Sequence, residues 1–275
     1  MHATPAALSG KKNSMNLAMT GLGKWLGAWL NRRRPLCSTS PPTGLARLSA
    51  SLRPGDVLLV EGDTRVSVAI KYLTQSTWSH AALFVGDALG DASSRGLLEA
   101  DLQAGVRAVG IAQYADLHCR ICRPVGLSER EIADVIDYAC ARLGARYDLR
   151  NVIDLARYLL PTPPVPVRWR RRMIAFGSGD PTRAICSTLI AEAFQSVRYP
   201  ILPKIELRPS GKDDPLGSAR EILHVRHHSL FTPRDFDVSP YFQIIKPTLN
   251  RGFDPHALEW SNAEVPPWQL NARCN

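Results

Sequence analysis

Ser79-His80-Ala81-Ala82-Leu83-Phe84-Val85, then Gly86 to Arg95, then Gly96-Leu97-Leu98-Glu99-Ala100, is the stretch on which the fold turns. Residues 81–85 and 96–100 are short apolar runs bounded by turn-forming residues, the pattern of buried strands. Paired as a hairpin, they bring His80 and Glu99 to the same end of a sheet.

The pattern extends outward. Arg53-Pro54-Gly55-Asp56 is a turn, and Val57 to Val60 reads as a buried strand. Ser67 to Thr74 fits a short helix. Residues 105–109 and 119–123 add two strands. Ser128 with Glu131 makes a capping-box pattern; Ile132, Val135, Ile136, Ala139 and Leu143 line the helix that follows, and Gly144 ends it. Asn151 to Leu160 reads as another helix, stopped by Pro161. Cys186 to Val197 reads as a third, with Leu189, Ile190, Ala193 and Val197 inward. Beyond Pro200 the chain reads as Pro-rich and irregular, except for a helix start at Thr232-Pro233-Arg234-Asp235-Phe236 and a last strand at 241–245. Strands come first and helices later. That order predicts an α+β fold, an antiparallel sheet packed against helices.

The 275 residues divide into a basic tail and linker over 1–46, one domain over 47–250, and a tail over 251–275. The formal charge is +9, and residues 1–50 carry seven positive charges and no acidic residue, leaving +2 for the other 225. The basicity therefore belongs to the tail, and no nucleic-acid-binding face is expected on the domain. Six scattered cysteines are too few to staple a chain this long, which favours a reducing, cytoplasmic compartment. No apolar run is long enough to span a membrane. Met15, Met19, Leu22, Leu26 and Trp29 recur at helical spacing beside Lys24 and Arg32 to Arg34. A basic amphipathic segment over 15–34 can lie on an anionic membrane surface, so association with the periphery of the inner membrane is an expectation. Residues 161–182 form a Pro-rich insertion with Arg168, Arg170, Arg171 and Arg172.

A thiol nucleophile needs a base, a group that orients the base, and donors for the oxyanion. Cys186 opens an apolar helix, where free N–H groups lower a thiol pKa and can hold an oxyanion. His80 opens a buried strand, which holds it rigidly as a base. Glu99 at the end of the next strand can accept the His80 ring N–H and set its tautomer. The bland alternatives are a buried structural Cys, a structural His and a surface Glu. Cys119-Arg-Ile-Cys122 has a metal-site spacing, but strand residues three apart point to opposite faces and no second pair completes a set. His224-x-x-His227-His228 lacks obvious partners. No metal or cofactor is expected.

Together these residues carry a resemblance. Pro54-Gly55-Asp56-Val57-Leu58, Ser79-His80-Ala81-Ala82-Leu83, Leu98-Glu99-Ala100 with Gly105-Val106, Leu143-Gly144-Ala145-Arg146-Tyr147-Asp148 and Ile185-Cys186-Ser187-Thr188-Leu189-Ile190 occur in that order. From Arg53 to Ile245 the chain resembles the YaeF/YiiX-type permuted papain-like amidases, relatives of the NlpC-type cell-wall peptidases and of lecithin retinol acyltransferase. The resemblance implies a circularly permuted papain-like core, with Cys186 as nucleophile, His80 as base and Glu99 as orienting acid. Tyr147 and Ser187 would support substrate or oxyanion. The expected activity is cleavage of an amide or ester through an acyl-enzyme, on a small acylated, lipid-like or peptide substrate. The insertion and the absence of a secretion signal depart from a cell-wall peptidase. The alternatives are a membrane-peripheral lipid-binding module with an inactive papain-like fold, and an acyltransferase on the same core.

Overall fold

The computed structural model describes residues 32, 42–90, 96–101, 104–145, 185–209, 219–249 and 254–257. The amphipathic segment apart from Arg32, the helix expected over 151–160, the insertion 161–182, Tyr147 and nearly all of the 251–275 tail lie outside the described residues.

The strands are β1 (Val57–Val60), β2 (His80–Gly86), β3 (Gly96–Asp101), β4 (Gly105–Gly110), β5 (Cys119–Pro124), β6 (Lys204–Pro209), β7 (Ala219–His224) and β8 (Phe242–Ile245). Six of them form one sheet in the order β4-β3-β2-β1-β5-β8, antiparallel throughout. The helices are α1 (Leu45–Ser51), α2 (Arg65–Thr74), α3 (Glu129–Cys140), α4 (Ile185–Ser196) and α5 (Pro233–Asp237).

Both faces of the sheet are covered. Val57, Leu59, Leu83 and Leu98 join a core with Val135 and Ala139 of α3, Leu189, Ile190 and Phe194 of α4, and Phe236 of α5. Leu58, Val60, Phe84 and Leu97 join a second layer with Leu48 of α1 and with Ile111 and Tyr114 of a 3₁₀ turn. Strands buried on both sides need apolar residues at every position, which is why β1 and β2 read as unbroken runs. Cys119 belongs to the second layer and Cys122 to the first, so these thiols face opposite ways. Burial pushes both thiols up, Cys119 to about 12.

The turn before β1 is fixed by chemistry. Gly55 has φ +87°, and a Cβ there would stand 2.8 Å from the Ile132 side chain. The Asp56 carboxylate accepts from Arg123 Nε at 2.8 Å, Arg123 Nη2 at 2.7 Å and the Arg53 N–H at 2.8 Å. This two-pronged pair ties the turn to β5. The capping box at Ser128 and Glu131 is present and starts α3.

Three expectations need correction. The folded body begins before residue 47: Thr43 is fully buried, its hydroxyl accepts from the Cys119 N–H at 2.9 Å, and α1 follows. The helix expected from Ser67 starts at Arg65, because Thr64 caps it by accepting from the Ser67 N–H. The stretch after Pro200 is not irregular. It holds the ribbon β6–β7, in which Ile205 and Leu207 alternate with Lys204 and Glu206. Ile205 and Leu207 are exposed. The ribbon therefore carries the period-two pattern of a strand without a buried run to announce it.

Candidate active site

Cys186 is the second residue of α4, which lies against β2 and β3. Its position in the first described turn of the helix places the positive end of the helix dipole near the sulfur. The thiol is 5% exposed. His80 is the first residue of β2, paired across to Val60. Glu99 stands in β3 directly opposite Arg107 of β4 and is 2% exposed.

These groups meet at the end of the sheet, not on one face. Ala82 and Phe84, on the same face of β2 as His80, and Leu97, on the same face of β3 as Glu99, belong to the layer of α1 and Tyr114. Leu189 and Ile190 of α4 belong to the opposite layer. His80 bridges the two because it is the residue at which β2 enters the sheet.

The His80 Nε2 lies 2.6 Å from Glu99 Oε2. The ring is also a hydrogen-bond and charge partner of the Cys186 thiol. With Nε2 taken by Glu99, Nδ1 is the nitrogen left for the sulfur. The Glu99 carboxylate is gripped further. Arg107 donates to Oε1 through Nε at 2.8 Å, and its Nη2 makes an ion pair with the same oxygen at 2.7 Å. The Tyr114 hydroxyl donates to Oε2, the oxygen His80 uses.

Electrostatics follow from this line. Burial pulls His80 down, but the charge and hydrogen bond of Cys186, then those of Glu99, outweigh it and raise its pKa to about 10. Burial pushes Glu99 up, but the His80 hydrogen bond and charge, the Tyr114 hydroxyl and the Arg107 charge bring it to about 2. Burial also opposes ionisation of Cys186. The His80 charge and hydrogen bond, the backbone N–H of Ala81 and the Ser187 hydroxyl prevail, and its pKa falls below the ordinary thiol value. Groups of opposite ionised charge thus stand side by side along Cys186, His80, Glu99 and Arg107, and each is shifted toward its charged form by its neighbours against the cost of burial.

Of the site residues expected from sequence, Cys186, His80 and Glu99 come together. Ser187 is fully buried, with its hydroxyl 4.0 Å from the Cys186 sulfur. Tyr147 is outside the described residues. Arg107 and Tyr114 were not anticipated. Arg107 left a signal: a charge interrupting the apolar run 105–109, opposite Glu99 once the hairpin register is known. Tyr114 left none, because a 3₁₀ turn has no periodicity to read. The histidines of 224–228 go separate ways: His224 to Glu206 at 2.7 Å, His227 to Ser229 at 2.8 Å and His228 to Glu192 at 3.1 Å. Among the described residues no group of His, Cys, Asp and Glu is arranged to hold a metal, and no helix is long and apolar enough to cross a membrane. No family model matches the chain, and a search of curated proteins finds no match.

Proposed function

We propose that this chain is a cysteine hydrolase that cleaves an amide or ester bond through Cys186, His80 and Glu99. The observation that carries the reading is the 2.6 Å contact of His80 with Glu99, together with the imidazole as the charge and hydrogen-bond partner that lowers the pKa of the buried Cys186 thiol. A thiol held merely as a small core residue is pushed up by burial, as at Cys119. Cys186, more deeply placed in charge, is pulled down instead.

The steps follow from the groups present. The Cys186 thiolate attacks the carbonyl carbon, and the oxyanion forms near the N–H groups at the start of α4. The C–N or C–O bond breaks as the imidazolium gives its Nδ1 proton to the leaving group. Neutral His80 then takes a proton from water, whose oxygen attacks the thioester. Collapse releases the acid and restores the thiolate and imidazolium. Glu99 stays ionised throughout and holds the ring.

The chain order His80, Glu99, Cys186, with the Cys opening a helix against the His-bearing sheet, supports a circularly permuted papain-like fold. The substrate is proposed to be a small acylated, lipid-like or peptide molecule. A cytoplasmic setting fits the free thiols of Cys119, Cys122, Cys140 and Cys186. The basic amphipathic segment over 15–34 would bring the domain to the inner membrane surface.

The test is trapping of the intermediate. Incubation with p-nitrophenyl esters, from acetyl to dodecanoyl, is expected to add one acyl group to the peptide containing Cys186, seen by mass spectrometry. Preference for the longer chains supports a lipid-like substrate. Absence of an adduct across the whole series would overturn the hydrolase reading.

A further inference from the structure

The geometry points to Tyr114 and Arg107 as positioning residues: Tyr114 holds the Glu99 oxygen that His80 uses, Arg107 holds the other, and so they fix the carboxylate that orients the base. The inference rests on the proposed reaction for its consequence, but its physical core stands apart from any substrate.

A carboxylate has about four lone-pair positions. In this site Oε2 accepts from His80 Nε2 and the Tyr114 hydroxyl, and Oε1 accepts from Arg107 Nε, with Arg107 Nη2 in ion-pair contact with the same oxygen. Both oxygens are thus held, and the carboxylate cannot turn without losing a donor. The two clamps come from separate elements, β4 and the turn Ile111–Tyr114, so the carboxylate is held from two directions. Tyr114 is 4% exposed and packed among Leu97, Ile111 and Cys119. Its ring serves the core, but its hydroxyl, in a buried place, is spent on Glu99. Burial and the Glu99 charge push the Tyr114 hydroxyl above the usual tyrosine range, so it remains a donor at any working pH. Arg107 is 41% exposed and works differently. It supplies one charge-assisted donor to Oε1 and a charge that balances Glu99.

The groups facing Glu99 are His80 from β2, Arg107 from β4 and Tyr114 from the turn. Asp101 of β3 lies 3.8 Å from Arg107, and Cys186 of α4 acts through His80. Of these, Tyr114, Arg107 and His80 hold Glu99 ionised; the Tyr114 ring lies 6.0 Å from the His80 ring, so Tyr114→Phe removes the hydroxyl while keeping that ring contact.

Two measurements on the full chain test the proposal. In the first, the Glu99 carboxyl is titrated by carbon NMR in the wild type, in Tyr114→Phe and in Arg107→Lys. Tyr114→Phe keeps the ring and Arg107→Lys keeps the charge, so far-ultraviolet circular dichroism and the cooperativity of thermal unfolding should be unchanged. The midpoint is expected near 2 in the wild type. Each variant should raise it by about one unit, as loss of one charge-assisted donor requires. A midpoint unchanged in both variants overturns the clamp, whatever the chain catalyses. The second is a double-mutant cycle on turnover of p-nitrophenyl butyrate. Tyr114→Phe alone should lower kcat about tenfold with KM unchanged. In a Glu99→Gln background the same change should have almost no effect, because the group it acts through is gone. Equal losses in both backgrounds would show that the hydroxyl acts independently of Glu99 and would overturn the positioning role. If no variant, wild type included, turns over any ester, the hydrolase reading fails while the titration still decides the clamp.

Discussion

Cys186→Ala is expected to remove ester turnover, a fall of at least about four orders of magnitude. The change deletes one sulfur atom from a helix that keeps Leu189, Ile190, Ala193 and Phe194 buried, so the fold should survive. His80→Ala should cost almost as much, for a different reason. The buried thiolate loses the charge and hydrogen bond that offset its burial, and the leaving group loses its proton donor. Because the two act as one unit, the double variant should be no worse than Cys186→Ala alone. The check is steady-state turnover of a p-nitrophenyl ester by all three, alongside thermal melts. Retention of more than about a hundredth of wild-type kcat by Cys186→Ala would remove this residue from the chemistry.

The second large effect is Glu99→Gln, expected to lower kcat about a thousandfold and to move the alkaline limb of the pH profile. The sign follows from the charges. The competent pair forms as pH rises through the depressed Cys186 pKa, and it is lost as His80 gives up its proton near 10. Glu99 raises the His80 pKa by its charge and its hydrogen bond. Removing that charge takes away part of what offsets burial, leaving Cys186 alone to hold the ring charged, so His80 deprotonates at lower pH and the alkaline limb shifts down. Glu99 itself, held at about 2, contributes no limb near neutrality. A wild-type profile from pH 5 to 11, repeated on Glu99→Gln, checks this. An alkaline limb already near the ordinary histidine value in the wild type would show that the ion pair is not the resting state.

What the sequence made legible, and what it did not, divides along physical lines. β1, β2 and β3 were readable because burial on both faces demands apolar residues at every position, and Pro54-Gly55 and the 86–95 loop mark their ends. The helix carrying Cys186 was readable from its inward row, Leu189, Ile190 and Ala193. The meeting of His80 and Glu99 followed from a hairpin whose register places Leu83 opposite Leu98. The ribbon β6–β7 was missed because its apolar residues are exposed and alternate with charges. α1 was missed because it follows directly on a Pro/Ser/Thr-rich stretch and buries only Leu48 and Ser51. The clamp on Glu99 could not be read in full. Arg107 becomes meaningful only once β3 and β4 are in register, and Tyr114 reaches Glu99 from a turn with no pattern of its own.

One claim underlies the rest: the sulfur of Cys186 rests as a thiolate beside a charged imidazole. Its most direct test is the rate of alkylation by iodoacetamide at Cys186 as a function of pH, followed by mass spectrometry of the native protein, with the unfolded protein as reference. The expected result is a midpoint well below the ordinary thiol value of 9.0 that moves back up in His80→Ala. A native midpoint at or above that of the unfolded chain, unchanged by the loss of His80, would contradict it.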